Sequence, residues 1–321
     1  MASPSAVFTE MVTTTLRNHA TDVVDTISNN NALLRFMKKR GNIKTKSGGY
    51  EIAQPISFAE NATYQRYSGL DTLNISAGDV LSAVKYDWQQ AAIHVTASGK
   101  ELRMNNSKEK MIDLVEARIQ VAKDTAANAL SVDIYSDGSL TNQINGLAHL
   151  IQTNGQGTVG GINSANYTNW RNQFKEMSGT DTWSSSTILG EMNALWLNCV
   201  FGQEMPDLIV ASHDIYAAYE AALQQNQRYM DASSAAAGFE TLKYKSASII
   251  FDTNTNFGTT AERAYFLNTK YLFLVQHSEA QWTQDDEKKP LNQDAVVIPM
   301  YWMGNLCCTN RRRQGILIDA A

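Results

Sequence analysis

The sequence predicts an α+β fold, and three observations carry that expectation. A run of period-two hydrophobicity from Tyr50 to Val95 precedes the longest uninterrupted helical pattern in the chain, from Asn106 to Gly138. Beyond that helix, short strand and helix patterns are mixed without regular βαβ alternation, which argues against a doubly wound sheet. With 321 residues and 43% hydrophobic side chains, the chain can also bury a substantial core.

From Val7 to Phe36 the apolar spacing predicts one or two helical pieces, interrupted at Ser28-Asn29-Asn30-Asn31 and weakened by β-branched residues. This reads as an extended arm. It leads into Arg35, Lys38, Lys39, Arg40, Lys44 and Lys46, with no carboxylate between Asp25 and Glu51. Such a segment is either a solvated basic face or a contact for nucleic acid or an acidic partner.

After Gly48-Gly49 the period changes to two. Tyr50, Ile52, Ile56 and Phe58 alternate with polar residues, and a second run follows at Val80, Val84, Tyr86 and Trp88, continuing through Ile93 and Val95. Between them, Glu60 to Asp79 is polar but carries Tyr64, Tyr67, Leu70, Leu73 and Ile75. The pattern predicts a long hairpin with a broad tip. A two-stranded hairpin is marginal in water, so exposed aromatics on such a projection need a surface to lie on, supplied by the same chain or by a neighbouring copy.

In the long helix, Asn106 is the expected cap, with Glu109 placed to reach back to it. Met111, Ile112, Val115, Ile119, Ala122, Ala126, Ala129 and Leu130 recur at spacings of three and four, while Glu109, Asp113, Glu116, Gln120, Lys123 and Asp124 fall away from that stripe. A run of this length extends about 42 Å. Its second half is alanine-rich, which buries little area but allows close approach. The helix reads as a strut across a sheet; standing alone, it would equally suit the core of an ordinary enzyme.

Downstream, Ile144-Asn145-Gly146-Leu147 predicts a short strand, 154–164 is glycine-rich, and Trp183 to Phe201 is helical. Leu208-Ile209-Val210-Ala211 predicts a buried strand, followed at once by a helix from His213. Further strands are expected at Ala247–Phe251, Ala264–Leu267, Tyr271–Val275, Ala295–Met303, Leu306–Asn310 and Gly315–Ile318.

Composition and motifs narrow the function classes. A net charge of -5 excludes nucleic-acid binding driven by bulk charge, so electrostatic contacts must be local. The three cysteines, Cys199, Cys307 and Cys308, read as small buried hydrophobes of a reducing compartment. No signal-peptide run and no stretch of 18 apolar residues is present. The five histidines are scattered outside any metal-ligand spacing. Gly155-Gln156-Gly157-Thr158-Val159-Gly160 matches G-x-G-x-x-G, yet the residues after it make a poor helix start, so no dinucleotide site is expected. Asp285-Asp286-Glu287 with Lys288-Lys289 reads as a solvated charged loop. Arg311-Arg312-Arg313 is either an exposed turn or a site for phosphate or for carboxylates of a neighbouring subunit. No catalytic, cofactor or metal constellation emerges, which favours a structural role.

Several segments then acquire meaning together: Tyr86-Asp87-Trp88-Gln89-Gln90, the helix end Ser131-Val132-Asp133-Ile134-Tyr135-Ser136-Asp137-Gly138, Ile144-Asn145-Gly146-Leu147, Val159-Gly160-Gly161-Ile162-Asn163 with Trp170-Arg171, and Pro206-Asp207-Leu208-Ile209-Val210. In this order, over nearly the whole chain, they resemble the major capsid proteins of tailed bacteriophages, the Hong Kong 97-type fold. The resemblance implies an N-terminal arm (1–45), an E-loop hairpin (46–95), a P-domain (96–205) with a spine helix (107–135), an A-domain (206–290), and return strands of the P-domain (291–321). It implies a non-enzymatic coat protein, without cofactors, that self-assembles through pentamers and hexamers into an icosahedral shell around double-stranded DNA. The setting would be the virion, assembled in the host cytoplasm away from membranes, with a portal as a further partner. Lys38, Lys39, Arg40, Lys44, Lys46, Arg311, Arg312 and Arg313 become candidates for inner-surface or subunit contacts. Tyr64, Arg66, Tyr67 and Leu70 become candidates for hairpin contacts with a neighbour.

Two departures from the family pattern matter. The arm begins almost at Met1 rather than after a long scaffolding segment, which implies a separate scaffolding protein. No lysine lies between Lys46 and Lys85, so the covalent crosslinking of some members is not expected. An encapsulin-like nanocompartment shell, or a cytosolic enzyme with dispersed site residues, are the alternatives.

Overall fold

Helix ends and chain breaks in this molecule are set by a few polar side chains and glycines. The computed structural model describes residues 31–57, 61, 63–76, 80–100, 108–177, 183, 186–224, 242–253, 257, 262–284 and 288–318. The predicted arm before Asn31, the Asn106 cap and the 285–287 acidic loop lie outside the described residues. Helix α1 (Ala32–Arg40) starts at Asn31, whose Oδ1 accepts from the amides of Leu33 and Leu34 at 2.9 and 3.1 Å. It ends where Gly41 takes a left-handed φ of 70°.

Strand β1 (Ile43–Lys46) is followed by β2 (Ile52–Ser57) and β3 (Leu81–Tyr86), which pair antiparallel from Ile52 opposite Tyr86 to Ser57 opposite Leu81. The predicted hairpin therefore forms, but its second strand does not run on to Val95. Strand β4 (Gln89–Ser98) pairs instead with β13 (Ala295–Cys308). The change of partner falls at Asp87-Trp88, where Asn305 Nδ2 donates to the Asp87 carbonyl at 2.8 Å. One four-stranded sheet results, in the order β1, β12 (Leu272–Gln284), β13, β4, with β1 parallel to β12. Expected breaks at Met303 and Leu306 are absent, because Gly304 serves close packing within one strand. A Cβ at that position would sit 2.5 Å from the Val275 carbonyl oxygen.

Helix α2 (Lys108–Tyr135) crosses from this sheet into the main core. Ile119 and Ala122 pack with Val95, Ile298 and Met300 on the four-stranded sheet. Ala126, Ala127, Leu130, Ile134 and Tyr135 belong to the larger core. The buried stripe thus runs through Ile119, Ala122, Lys123, Ala126, Ala127, Leu130 and Ile134. Lys123 lies on it rather than on the outer face, and Ala129 is exposed. Tyr135 closes the helix by donating to Asp252 Oδ2 at 2.8 Å and stacking on Phe257.

After the turn at Gly138 the chain forms the short helix α3 (Leu147–Leu150), where a strand was expected at 144–147. Gly146 explains the difference: it is wedged against the backbone of Ser136 and Asp133, where a Cβ would meet atoms at 2.4 to 2.6 Å, so this segment packs under the helix end instead of joining a sheet. A small hairpin, β5 (Thr158–Val159) with β6 (Ile162–Asn163), leads to β7 (Gln173–Glu176).

The remaining elements are α4 (Ile188–Cys199), β8 (Leu208–Ala211), α5 (His213–Gln224), β9 (Leu242–Tyr244), β10 (Ala247–Phe251), β11 (Arg263–Leu267) and β14 (Gly315–Ile318). With β7 they form a six-stranded mixed sheet in the order β7, β14, β11, β8, β10, β9. Period-two alternation sorts its side chains between two cores. Leu208, Val210, Tyr265, Leu267 and Ile316 face the larger core, while Ile209, Ala211, Ala264, Phe266 and Leu317 face a second core roofed by α4 and α5. Burial on both faces is why these strands read as unbroken apolar runs. The architecture is α+β, as predicted.

Candidate assembly surface

The hairpin divides into a buried base and an uncovered tip. At the base, Ile52, Ile56, Val84 and Tyr86 are buried in the chain's own core. Tyr86 Oη donates to the Cys308 carbonyl at 2.7 Å and accepts from the Cys308 amide at 3.2 Å, fastening the hairpin to β13. The described residues of the tip from Tyr64 to Ser76 stand exposed. Tyr64 is 82% exposed, Tyr67 65%, Ile75 91% and Leu70 fully exposed. Polar contacts within the tip are local: Gln65 spans to Thr72 and Asn74, and Asp71 Oδ2 accepts from the Ser68 amide at 2.8 Å. Arg66 lies exposed among them. Apolar side chains gathered on one projection mark a surface that another molecule covers.

The basic segment is an exposed stripe with partial internal engagement. Lys38, Lys39, Arg40 and Lys44 are exposed, and Lys46 is half-buried. Arg40 pairs with Asp207 at 3.0 Å and lies over Phe36, Lys44 lies 3.8 Å from the Phe273 ring centroid, and Lys46 Nζ donates to the Ala53 carbonyl.

Arg311, Arg312 and Arg313 form a 3₁₀ turn, and the structure gives them three different roles. Arg311 is completely buried. Its Nε donates to the Leu150 carbonyl at 2.7 Å, Nη1 to the Trp170 carbonyl at 3.3 Å, and Nη2 to the Gln156 carbonyl and Asn172 Oδ1 at 3.3 and 2.9 Å. Burial lowers its pKa to about 10, still far above neutrality. This corrects the sequence expectation for Arg311: it is neither an exposed turn nor a subunit contact but the hub that holds the glycine-rich loop, the 3₁₀ turn Thr168–Trp170 and α3 together. Arg312 is exposed and donates one bond, to Asn169 Oδ1 at 3.1 Å. Arg313 lies over the Phe201 ring, 3.6 Å from Glu204. Glu204 also accepts from Lys270 and Tyr271, contacts that hold its carboxyl below the usual range.

Arg312 and Arg313 line a cleft of about 570 Å³ together with Pro55, Ile56 and Ser57 of the hairpin base. Trp170, Phe201 and Tyr271 supply its aromatic surface.

Among the described residues no group of three or more His, Cys, Asp or Glu side chains is placed to hold a metal ion, and no helix is long and apolar enough to cross a membrane. Burial pushes the Cys199 and Cys308 thiols up to about 12. The G-x-G-x-x-G run forms the tight β5–β6 hairpin, packing Gly160 against Val84, and leads into a strand rather than into a helix N-terminus. His149, half-buried, contacts the Asp137 carbonyl through Nδ1, and desolvation lowers its pKa.

Known structures share the fold of this α+β chain. The chain is similar to the capsid asymmetric unit of cyanophage A-1(L), with a TM-score of 0.60 and 13% identity over 87% of this chain and 90% of that one. It is similar to the capsid of Myoviridae phage XM1, with a TM-score of 0.55 and 13% identity over 88% and 92% of the two chains. A third likeness is to the procapsid of satellite phage P4 that includes the size determination (Sid) protein, with a TM-score of 0.51 and 8% identity over 94% and 99%. No family model and no curated protein sequence matches the chain. The chain has the fold of phage capsid proteins.

Proposed function

We propose that this chain is the major capsid protein of a tailed phage, a non-enzymatic subunit whose copies assemble into an icosahedral shell around double-stranded DNA. The observation that carries this reading is the hairpin: its base is built into the core, its tip exposes Tyr64, Tyr67, Leu70 and Ile75, and the surrounding fold is shared along most of its length with capsid subunits. In that setting residues 46–95 act as the E-loop laid over a neighbour, α2 as the spine helix (107–135) of a P-domain (96–205 with 291–321), and 206–290 as an A-domain at the centres of pentamers and hexamers. Residues 1–45 act as the N-terminal arm.

The basic residues Lys38, Lys39, Arg40, Lys44 and Lys46, together with Arg312 and Arg313, then serve subunit or inner-surface contacts. Any DNA contact among them is independent of sequence and sensitive to salt. A size-determining partner accompanies the satellite phage P4 procapsid, which supports a separate scaffolding protein for this subunit too. Portal attachment, cytoplasmic assembly and residence in the virion follow from the same reading. Negative-stain microscopy of the purified protein tests it: closed shells containing nuclease-protected DNA after phage growth are expected, and a small soluble oligomer as the only species would overturn it.

A further inference from the structure

We propose that the cleft between the hairpin base and the arginine turn receives the hairpin tip of a second copy of this chain, with Asp71 of that copy bound by Arg312. The inference rests on the capsid reading and names the receptor it leaves unspecified. The cleft combines aromatic surface, Trp170, Phe201 and Tyr271, with the exposed Arg312 among its lining residues. Arg312 keeps spare donors: it is exposed and its guanidinium donates to Asn169 Oδ1, whereas Arg313 Nε already faces Glu204 at 3.6 Å. An exposed guanidinium with spare donors takes a carboxylate through charge-assisted bonds.

The tip has the complementary composition. Asp71 is the one carboxylate among its described residues, 61 and 63–76, and it stands beside the fully exposed Leu70 on a turn whose Gly69 adopts φ 55°. Asp71 Oδ2 accepts from the Ser68 amide. A carboxylate has acceptor capacity beyond one such bond. Because Leu70, Tyr64 and Ile75 are exposed, the tip is not seated in its own chain's cleft, and a second copy is the occupant that supplies it. A DNA duplex is the poorer fit. A concavity of about 570 Å³ accepts a few side chains, whereas phosphate contacts run along an extended surface.

Charge reversal tests the pairing. Asp71→Arg lies on the uncovered tip and Arg312→Glu on an exposed side chain, so both subunits are expected to keep the far-ultraviolet circular dichroism of the unaltered chain. Each single variant should raise the protein concentration needed for particle formation, followed by light scattering and microscopy, about tenfold or more. The double variant Asp71→Arg with Arg312→Glu should return to within about threefold of the unaltered chain. Single variants that assemble normally, or a double variant as impaired as the two singles combined, would overturn the proposal. So would an Arg312→Glu particle that assembles normally but loses packaged DNA, which would assign the cleft to nucleic acid. Failure of the unaltered chain to form particles would instead overturn the capsid reading itself.

Discussion

Arg311 shows how far a single residue's environment departs from its local sequence. Three consecutive arginines beside an apolar strand suggest solvent or a partner, yet only Arg312 is exposed. Arg311 is committed to three backbone carbonyls and Asn172, contributed from positions 139 to 161 residues earlier in the chain. Nothing within a window around 311 encodes those acceptors, so the sequence carries the triplet but not its division of labour. The same holds for Tyr86, whose partner Cys308 lies 222 residues away, and for Asn305, which receives the Asn145 amide. Burying a charge is tolerable only while its partners are present. Replacing Arg311 with alanine leaves those carbonyls unpaired, and the unassembled subunit is expected to lose about 3 kcal/mol or more. A urea-unfolding midpoint within error of the unaltered subunit would show that the hub is dispensable.

At the scale of elements, periodicity identified the type of most segments and failed at their partners. The α2 helix, the hairpin base and the apolar strands β8, β10, β11 and β14 were legible because each buries a regular stripe or two full faces. The boundary between β3 and β4 was not, since both strands alternate with the same period and only the choice of partner separates them. Glycines misled twice in opposite senses: Gly304 permits close packing inside β13, and Gly146 tucks a presumed strand beneath a helix end. The tip was legible as an anomaly, a set of aromatics with nothing to lie on. Replacing Tyr67 and Leu70 with serine should therefore change subunit stability by less than about 0.5 kcal/mol each. Particle yield should nevertheless fall sharply; shells assembling at the usual yield would remove the tip from the interface. The basic segment is separable from it. Changing Lys38, Lys39 and Arg40 to glutamine is expected to leave the fold intact and weaken genome retention as salt rises. Unchanged assembly and unchanged retention across a salt series would return these residues to the role of a solvated face.

For the whole molecule, the distribution of amines decides how a shell of such subunits holds together. Covalent linkage through the hairpin requires a lysine that travels with the tip to a neighbour, and the sequence has none between Lys46 and Lys85. Both flanking lysines sit at the base and are engaged there: Lys46 donates to the Ala53 carbonyl at 3.2 Å, and Lys85 pairs with Glu51 at 2.7 Å. A surface ion pair of this kind contributes little energy, about 0 to 1 kcal/mol, but it lies on the strand pair that fixes the hairpin to its own subunit. The tip presents hydroxyl, amide, guanidinium, apolar and one carboxylate group, Asp71, among its described residues, and under the proposed assembly these bury area and exchange hydrogen bonds without supplying an amine for an isopeptide bond. A shell joined by such contacts gains its strength from the number of interfaces, and it comes apart when those contacts are dissolved. Mature particles boiled in denaturing detergent should therefore run as a single band at the mass of one chain. A ladder of covalent multimers in that gel would contradict the assignment of the joints to non-covalent packing, and would require an amine from elsewhere in the chain to reach a neighbour.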